Sequence, residues 1–244
     1  MPKKSAKYVS QLAVDGVNLP VNLHVERRQT VTFSLRHTGV TVRIPRGMSE
    51  GEWAHHADRL RAWVQQVFDK KPALRESFVE KSYQTGDLLT VGERQYRIEI
   101  EQSARATSTA RLVGDTICLH LSLHADRKTI QTLLSRIVAH DFYPELSRRI
   151  HEINRLTVDR PIRSIALKYS HSRWGSCSRT GNINLSTRLL FAPREVQDYV
   201  IVHELAHLVE ANHSDRFWAL VERFSPQYKA CEKWLKVHGA RCDF

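Results

Sequence analysis

Residues 199–214 read YVIVHELAHLVEANHS, and within them His203, Glu204 and His207 stand in the order HExxH. On an α-helix, two residues four apart are separated by about 40° around the axis and about 6 Å along it, so both imidazoles reach one ion from one face. Neutral imidazole nitrogens bind zinc at about 2.0–2.1 Å, while the glutamate beside the first histidine takes a proton from the water that the metal activates. Tyr199, Val200, Val202, Leu205, Ala206 and Leu208 surround the charged group, which predicts a buried helix. Unpartnered His and Glu are costly there, and a metal accounts for them.

His213 is the expected third nitrogen, ten residues after His203. If the helix simply continued, His213 would lie about 9 Å beyond His207 and about 120° around the axis, out of reach of the same ion. The chain must therefore reverse, and the helix is expected to end near Ala211 or Asn212, with Asn taking the left-handed conformation and Ser214 capping the next helix. A carboxylate from Glu210, Asp215 or Glu232 is the rival third ligand. Three protein ligands and one open position define a catalytic zinc site rather than a closed structural one.

Upstream of this helix the period changes twice. Val21, Leu23, Val25, Val31, Phe33, Leu35, Val40, Val42 and Ile44 alternate with polar residues, as in half-buried strands of a small antiparallel sheet. Trp53, Ala57, Leu60, Val64 and Val67 have helical spacing. A second strand cluster covers Leu88–Val91, Tyr96–Ile100, Ala110–Val113 and Ile117–Leu123, with hairpin turns at Gly92-Glu93 and Gly114-Asp115. From Asp126 a long apolar stripe has helical period, with Pro144 as a kink or break. Short extended segments (Ile162–Tyr169, Asn182–Leu185) and helical patterns over Arg194–Glu210, Asp215–Phe224 and Gln227–Val237 follow, with no internal repeat. The fold class expected is α+β: an antiparallel-strand-rich N-terminal region with one helix (1–125), then a mainly helical domain with a short sheet (126–244).

The chain has 244 residues with 37 Lys+Arg against 26 Asp+Glu, a formal charge of +11. Its 41% hydrophobic and 26% charged content is ordinary for a globular protein and argues against disorder or a fibrous repeat. No apolar run approaches the roughly 20 residues of a membrane span, and MPKKSAKYVSQLAVDG lacks a signal-peptide core, so no membrane partner and a cytoplasmic location are expected. Four scattered cysteines without CxxC spacing indicate neither a disulfide framework nor a thiolate zinc knot. The positive charge makes a nucleic acid a secondary candidate partner, although no zinc finger or RNA-recognition signature accompanies it.

Arg173-Trp174-Gly175-Ser176-Cys177-Ser178, Gly181-Asn182-Ile183-Asn184-Leu185, the HExxH helix, Asn212-His213-Ser214 and Phe217-Trp218 together resemble the YgjP-like metallopeptidase family, most strongly over residues 160–238. The resemblance implies a zinc-dependent peptidase related to SprT-type proteases, with His203, His207 and His213 as ligands, Glu204 as catalytic base and a peptide or protein as substrate. Glu210 stands where metzincins carry a turn glycine, and there is no methionine turn, so the reversal before His213 is built differently from theirs. The leading expectation is peptide hydrolysis by a zinc-activated water. A zinc hydrolase of a non-peptide amide and a DNA-associated zinc protein with little peptidase activity are the alternatives.

Ser176 and Cys177 read as cleft-lining or structural residues rather than nucleophiles. Tyr169, His171 and Arg173 are candidates for a second donor to the transition-state oxyanion. Ile183–Leu185 is a candidate exposed edge for strand addition by substrate.

Overall fold

The computed structural model describes residues 7–244 apart from positions 37, 77 and 80. It divides into two compact units, Met1–Glu80 and Lys81–Phe244.

In the first unit, β1 (Lys7–Val14) and β2 (Val17–Glu26) join through Asp15-Gly16. Both turn residues have positive φ, 51° and 73°, as a two-residue hairpin loop requires. A second hairpin, β3 (Thr32–Arg36) and β4 (Gly39–Pro45), adds to it with β4 parallel to β2, giving the order β1-β2-β4-β3. The alternating residues Leu19, Val21, Val40 and Val42 share a core with Leu60, Val64 and Phe68 of α1 (Glu50–Lys70). Helix α1 starts at a capping box: the Ser49 hydroxyl accepts from the Glu52 amide, and the Glu52 carboxylate accepts from the Ser49 amide at 2.8 Å. A short α2 (Pro72–Glu76) follows.

The second unit opens with the same wiring. Strands β5 (Leu88–Val91), β6 (Arg94–Ser103), β7 (Thr109–Val113) and β8 (Thr116–Ser122) take the order β5-β6-β8-β7, again two antiparallel hairpins with their inner strands parallel. A helix follows here too, α3 (Arg127–Leu156), whose first turn is capped by Asp126 accepting from the Thr129 amide at 2.8 Å. The expectation of a small antiparallel sheet over residues 8–45 is corrected in one respect: both hairpins are antiparallel, but β2 and β4 pair parallel, as β6 and β8 do in the second sheet. Period-2 alternation records which face a residue takes and carries no information about strand direction. The residue pattern shows no repeat, yet the topology is used twice.

Helix α3 runs without interruption through Pro144. It packs on β7 and β8, and Leu134, Val138, Leu146 and Ile150 share one core with Ile98, Ile117 and Leu119. The change of period at Asp126, expected as a domain boundary, therefore falls inside the second unit: it marks the passage from sheet to helix within one core.

After α3 come β9 (Ser164–Lys168), β10 (Gly175–Cys177) and β11 (Asn182–Ser186), in the order β10-β11-β9. Strand β11 is antiparallel to β10 and parallel to β9. Helices α4 (Arg194–Ala206), α5 (Asp215–Phe224) and α6 (Tyr228–His238) complete the unit. Val196, Val200, Ile201 and Leu205 of α4 are buried in the same core, which holds this helix from two sides, against α3 and against α5 and α6. Among the described residues, no helix is long and apolar enough to cross a membrane.

Candidate metal centre

Helix α4 ends at Ala206, five residues before the reversal that its sequence suggests, so His203 lies in its last turn and His207 is its C-cap. The backbone tightens there by successive three-residue bonds: His207 N–H to the Glu204 carbonyl, Leu208 to Leu205 and Val209 to Ala206. This 3₁₀-like winding consumes the helix end without a left-handed residue, and Asn212 is not among those with positive φ. The amide of Ser214 then donates to the Asn212 carbonyl at 2.8 Å, and the Ser214 hydroxyl accepts from the Phe217 amide, capping α5 as expected.

The turn brings His213 back to the first two imidazoles. One ring nitrogen from each of His203, His207 and His213 lies within 4.8 Å of the others, and no carboxylate joins the group among the described residues. Nε2 of His203 and Nε2 of His213 stand 3.1 Å apart. Two nitrogens bound to one tetrahedral zinc, each at about 2.05 Å, are about 3.3 Å apart, so this spacing suits a shared cation. Nδ1 of His207 lies 3.2 Å from the Glu210 carbonyl. Donation there places the ring proton on Nδ1 and leaves the Nε2 lone pair for a ligand. Of the rival carboxylates, Glu232 accepts a hydrogen bond from the Tyr199 hydroxyl at 3.2 Å, while Glu210 contributes its backbone carbonyl rather than its side chain.

Aromatic packing fixes the rings. Phe217, fully buried, stacks on His207 with centroids 4.5 Å apart, and Trp218 stacks on His213 at 5.8 Å. His203 sits among Tyr199, Phe217 and Trp218. Its pKa falls to about 4, through burial first and then the neighbouring His207 and His213. Burial also lowers that of His207, against the hydrogen bond to Glu210. Both rings are thus neutral at physiological pH, the form a metal needs.

Glu204 is 6% exposed, and burial pushes its carboxyl up to about 7, opposed by the positive charge of Arg173. Its neighbour across the cleft is Gly175 on β10. A Cβ placed on that glycine would stand 2.5 Å from Oε1 of Glu204, so the strand approaches the carboxylate as closely as a side-chain-free residue allows.

His203, Glu204, His207 and His213 line one open cleft of about 450 Å³ with Arg173, Gly175, Ser176, Cys177, Arg179, Ala211 and Asn212. A larger cavity of about 590 Å³ lies at the opposite end of α4. Two of its arginines are committed to carboxylates, Arg94 to Asp141 and Glu145 and Arg149 to Asp198 and Glu152, and it holds none of the histidines. The histidine cluster and Glu204 lie in the smaller cleft.

The chain matches the model of the YgjP-like metallopeptidase domain over residues 29–238. It belongs to the YgjP-like family. The match spans both compact units, and with it this YgjP-like chain is a metallopeptidase by family. Comparison with curated proteins gives no match. Among solved structures, the metallopeptidase zymogen abylysin of Pyrococcus abyssi is 24% identical over 36% of this chain and 92% of its own, at a TM-score of 0.32, a likeness too low to support any inference.

The other residues singled out in the sequence separate clearly. Ser176 and Cys177 line the cleft, as expected, and the Cys177 thiol is raised to about 11 by burial and by Glu204, so it is protonated at neutral pH and ill-suited as a nucleophile. Arg173 reaches the cleft. Tyr169 does not: its hydroxyl donates to Asp243 at 2.7 Å. His171 is engaged outside the cleft, its backbone carbonyl accepting from Arg188. Ile183–Leu185 is no edge, because β11 lies between β10 and β9; the edge facing the cleft is β10.

Two residues were given no role by the sequence reading. Gly175 matters through a tertiary approach, and Arg188 through burial. At 4% exposed, Arg188 donates to the carbonyls of Cys242, His171 and Gly239 at 2.6–2.9 Å and lies over the Trp174 ring. It ties the chain's last residues to the segment that leads into β10.

Proposed function

We propose that this metallopeptidase is zinc-dependent, with His203, His207 and His213 as ligands and Glu204 as general base. The single observation that carries the reading is the approach of three imidazoles to one point, with a buried carboxylate in the same cleft. An all-imidazole donor set suits zinc better than calcium or magnesium, which prefer oxygen. Zinc bound there supplies a Lewis acid for the scissile carbonyl and the attacking oxygen. The chain's own residues do the rest. Glu204 accepts a proton on a carboxylate oxygen from the attacking water and delivers it to the departing nitrogen. Its raised pKa near 7 suits both transfers. Arg173, beside Glu204, is the donor available to a developing oxyanion. The free edge of β10 offers backbone groups to an extended substrate.

Glu204→Gln tests the assignment. The variant is expected to keep stoichiometric zinc and to lose cleavage of an unfolded protein by about 10²–10⁴-fold, the usual worth of general acid–base catalysis. Unchanged cleavage would remove Glu204 as the base, and wild-type protein without zinc would remove the ligand assignment. A panel of small non-peptide amides separates a peptidase from an amidase acting through the same groups.

A further inference from the structure

Two arginines line the cleft. Arg173 stands two residues before β10 and Arg179 two residues after it, so the free strand edge is bracketed by guanidinium groups. Both side chains are exposed, and neither forms an ion pair among the described residues. Most other arginines lining a cavity in this unit are neutralised, as Arg94 and Arg149 are. Among the described residues, the only carboxylate lining the cleft is Glu204, which the proposed reaction already occupies. A cation held by the three histidines adds further positive charge.

A peptide that pairs with β10 must lie between these two arginines. Backbone pairing is indifferent to side-chain identity, so selectivity falls to whatever flanks the strand. Here both flanks favour negative charge, and a lysine beside the scissile bond would face Arg173, Arg179 and the metal together. Resting on the peptidase reading above, we infer that the substrates are acidic peptide segments, with Glu or Asp flanking the scissile bond on one or both sides, and that Arg173 and Arg179 select them. Arg179 is expected to contribute about two- to fivefold to the kcat/KM preference for acidic over neutral flanks, the worth of an exposed ion pair. The preference weakens as salt rises, because exposed charges are screened.

The test uses three fluorogenic peptides of equal length and identical centre, flanked by Glu, Gln or Lys, with kcat/KM measured at low and high ionic strength for wild type and Arg179→Glu. Wild type should rank Glu above Gln above Lys, with the ratios shrinking in high salt, and Arg179→Glu should lose or invert the ranking. Comparing substrates on one preparation cancels any difference in folded fraction. Arg111→Glu, a matched charge reversal on β7 outside the cleft, should keep the wild-type order. A Lys-flanked peptide cleaved as well as the Glu-flanked one, or a ranking unmoved by Arg179→Glu, overturns the inference. If no peptide is cleaved, the peptidase reading fails. Fluorescence anisotropy of the same three peptides then still decides the selectivity: acidic-first binding supports it and any other order refutes it.

Discussion

Gly175→Ala isolates the approach of β10 to Glu204. Because Gly175 does not have positive φ, alanine brings no backbone strain, and the substitution adds one methyl group and nothing else. That methyl carbon would stand 2.5 Å from Oε1, 2.7 Å from Cγ and 2.8 Å from Cδ of Glu204, where ordinary contact begins at 3.4 Å. Relief requires the carboxylate or the strand to move by roughly 0.6–0.9 Å, given that contact distance. A displacement near 1 Å costs about 10²-fold where geometry governs the step. The overpacking itself costs about 1–3 kcal/mol of stability. The expected result is a fall in kcat of about 100-fold on a neutral peptide, with zinc content unchanged because no ligand is touched. Stopped assays for kcat, metal analysis and a thermal melt measure the three quantities on one sample. A variant with kcat within threefold of wild type would show that the carboxylate has slack in this cleft, and that its position against β10 is not what sets the rate.

Three further outcomes follow from the same structure. Zinc should raise the melting temperature of wild type and not of His213→Ala, since a ligand at 100 times its Kd adds about 2.7 kcal/mol; equal shifts in both would exclude His213 from the site. Arg188→Ala should cost about 2–4 kcal/mol in urea unfolding, because three carbonyls lose a buried charged donor; a loss under 0.5 kcal/mol would mean the C-terminal tie carries little. Asp141 accepts from the Tyr96 hydroxyl at 2.5 Å and from Arg94 at 2.7 Å. Burial alone would raise its pKa, but these bonds hold it below the ordinary carboxylate value. A depressed carboxylate stabilises the fold above its unfolded pKa and loses that contribution as pH falls through the folded pKa. Asp141→Asn should therefore flatten the acid limb of stability against pH; a limb identical to wild type would contradict this.

The gathering of His203, His207 and His213 was legible because side chains that share one point on a helix need fixed offsets, and offsets survive in a linear string. Where α4 ends was not. The sequence points to Asn212 because asparagine tolerates the left-handed region, but the chain winds down from Ala206 by three-residue bonds that ordinary residues can make. Strand β10 was also missed, since Gly-Ser-Cys has neither length nor alternation, and its status as an edge depends on β11 pairing on its other side. The boundary expected at residue 125 had a real signal, a change of period. That signal marks a change of element, and only the shared core of Ile98, Ile117, Leu134 and Val138 shows the two elements to be one unit. Arg188 looked like any basic residue, because nothing local distinguishes a buried arginine from a solvated one.

The paired sheets bear on what a strand arrangement demands of its residues. Val17–Glu26 and Arg94–Ser103 occupy equivalent places in the two hairpin-hairpin-helix assemblies, yet VNLPVNLHVE and RQYRIEIEQS have almost no residue in common. A blueprint that survives such complete replacement is written in inward-outward rhythm and tight corners, so outer-facing positions of either copy can be rewritten freely while the architecture stays put.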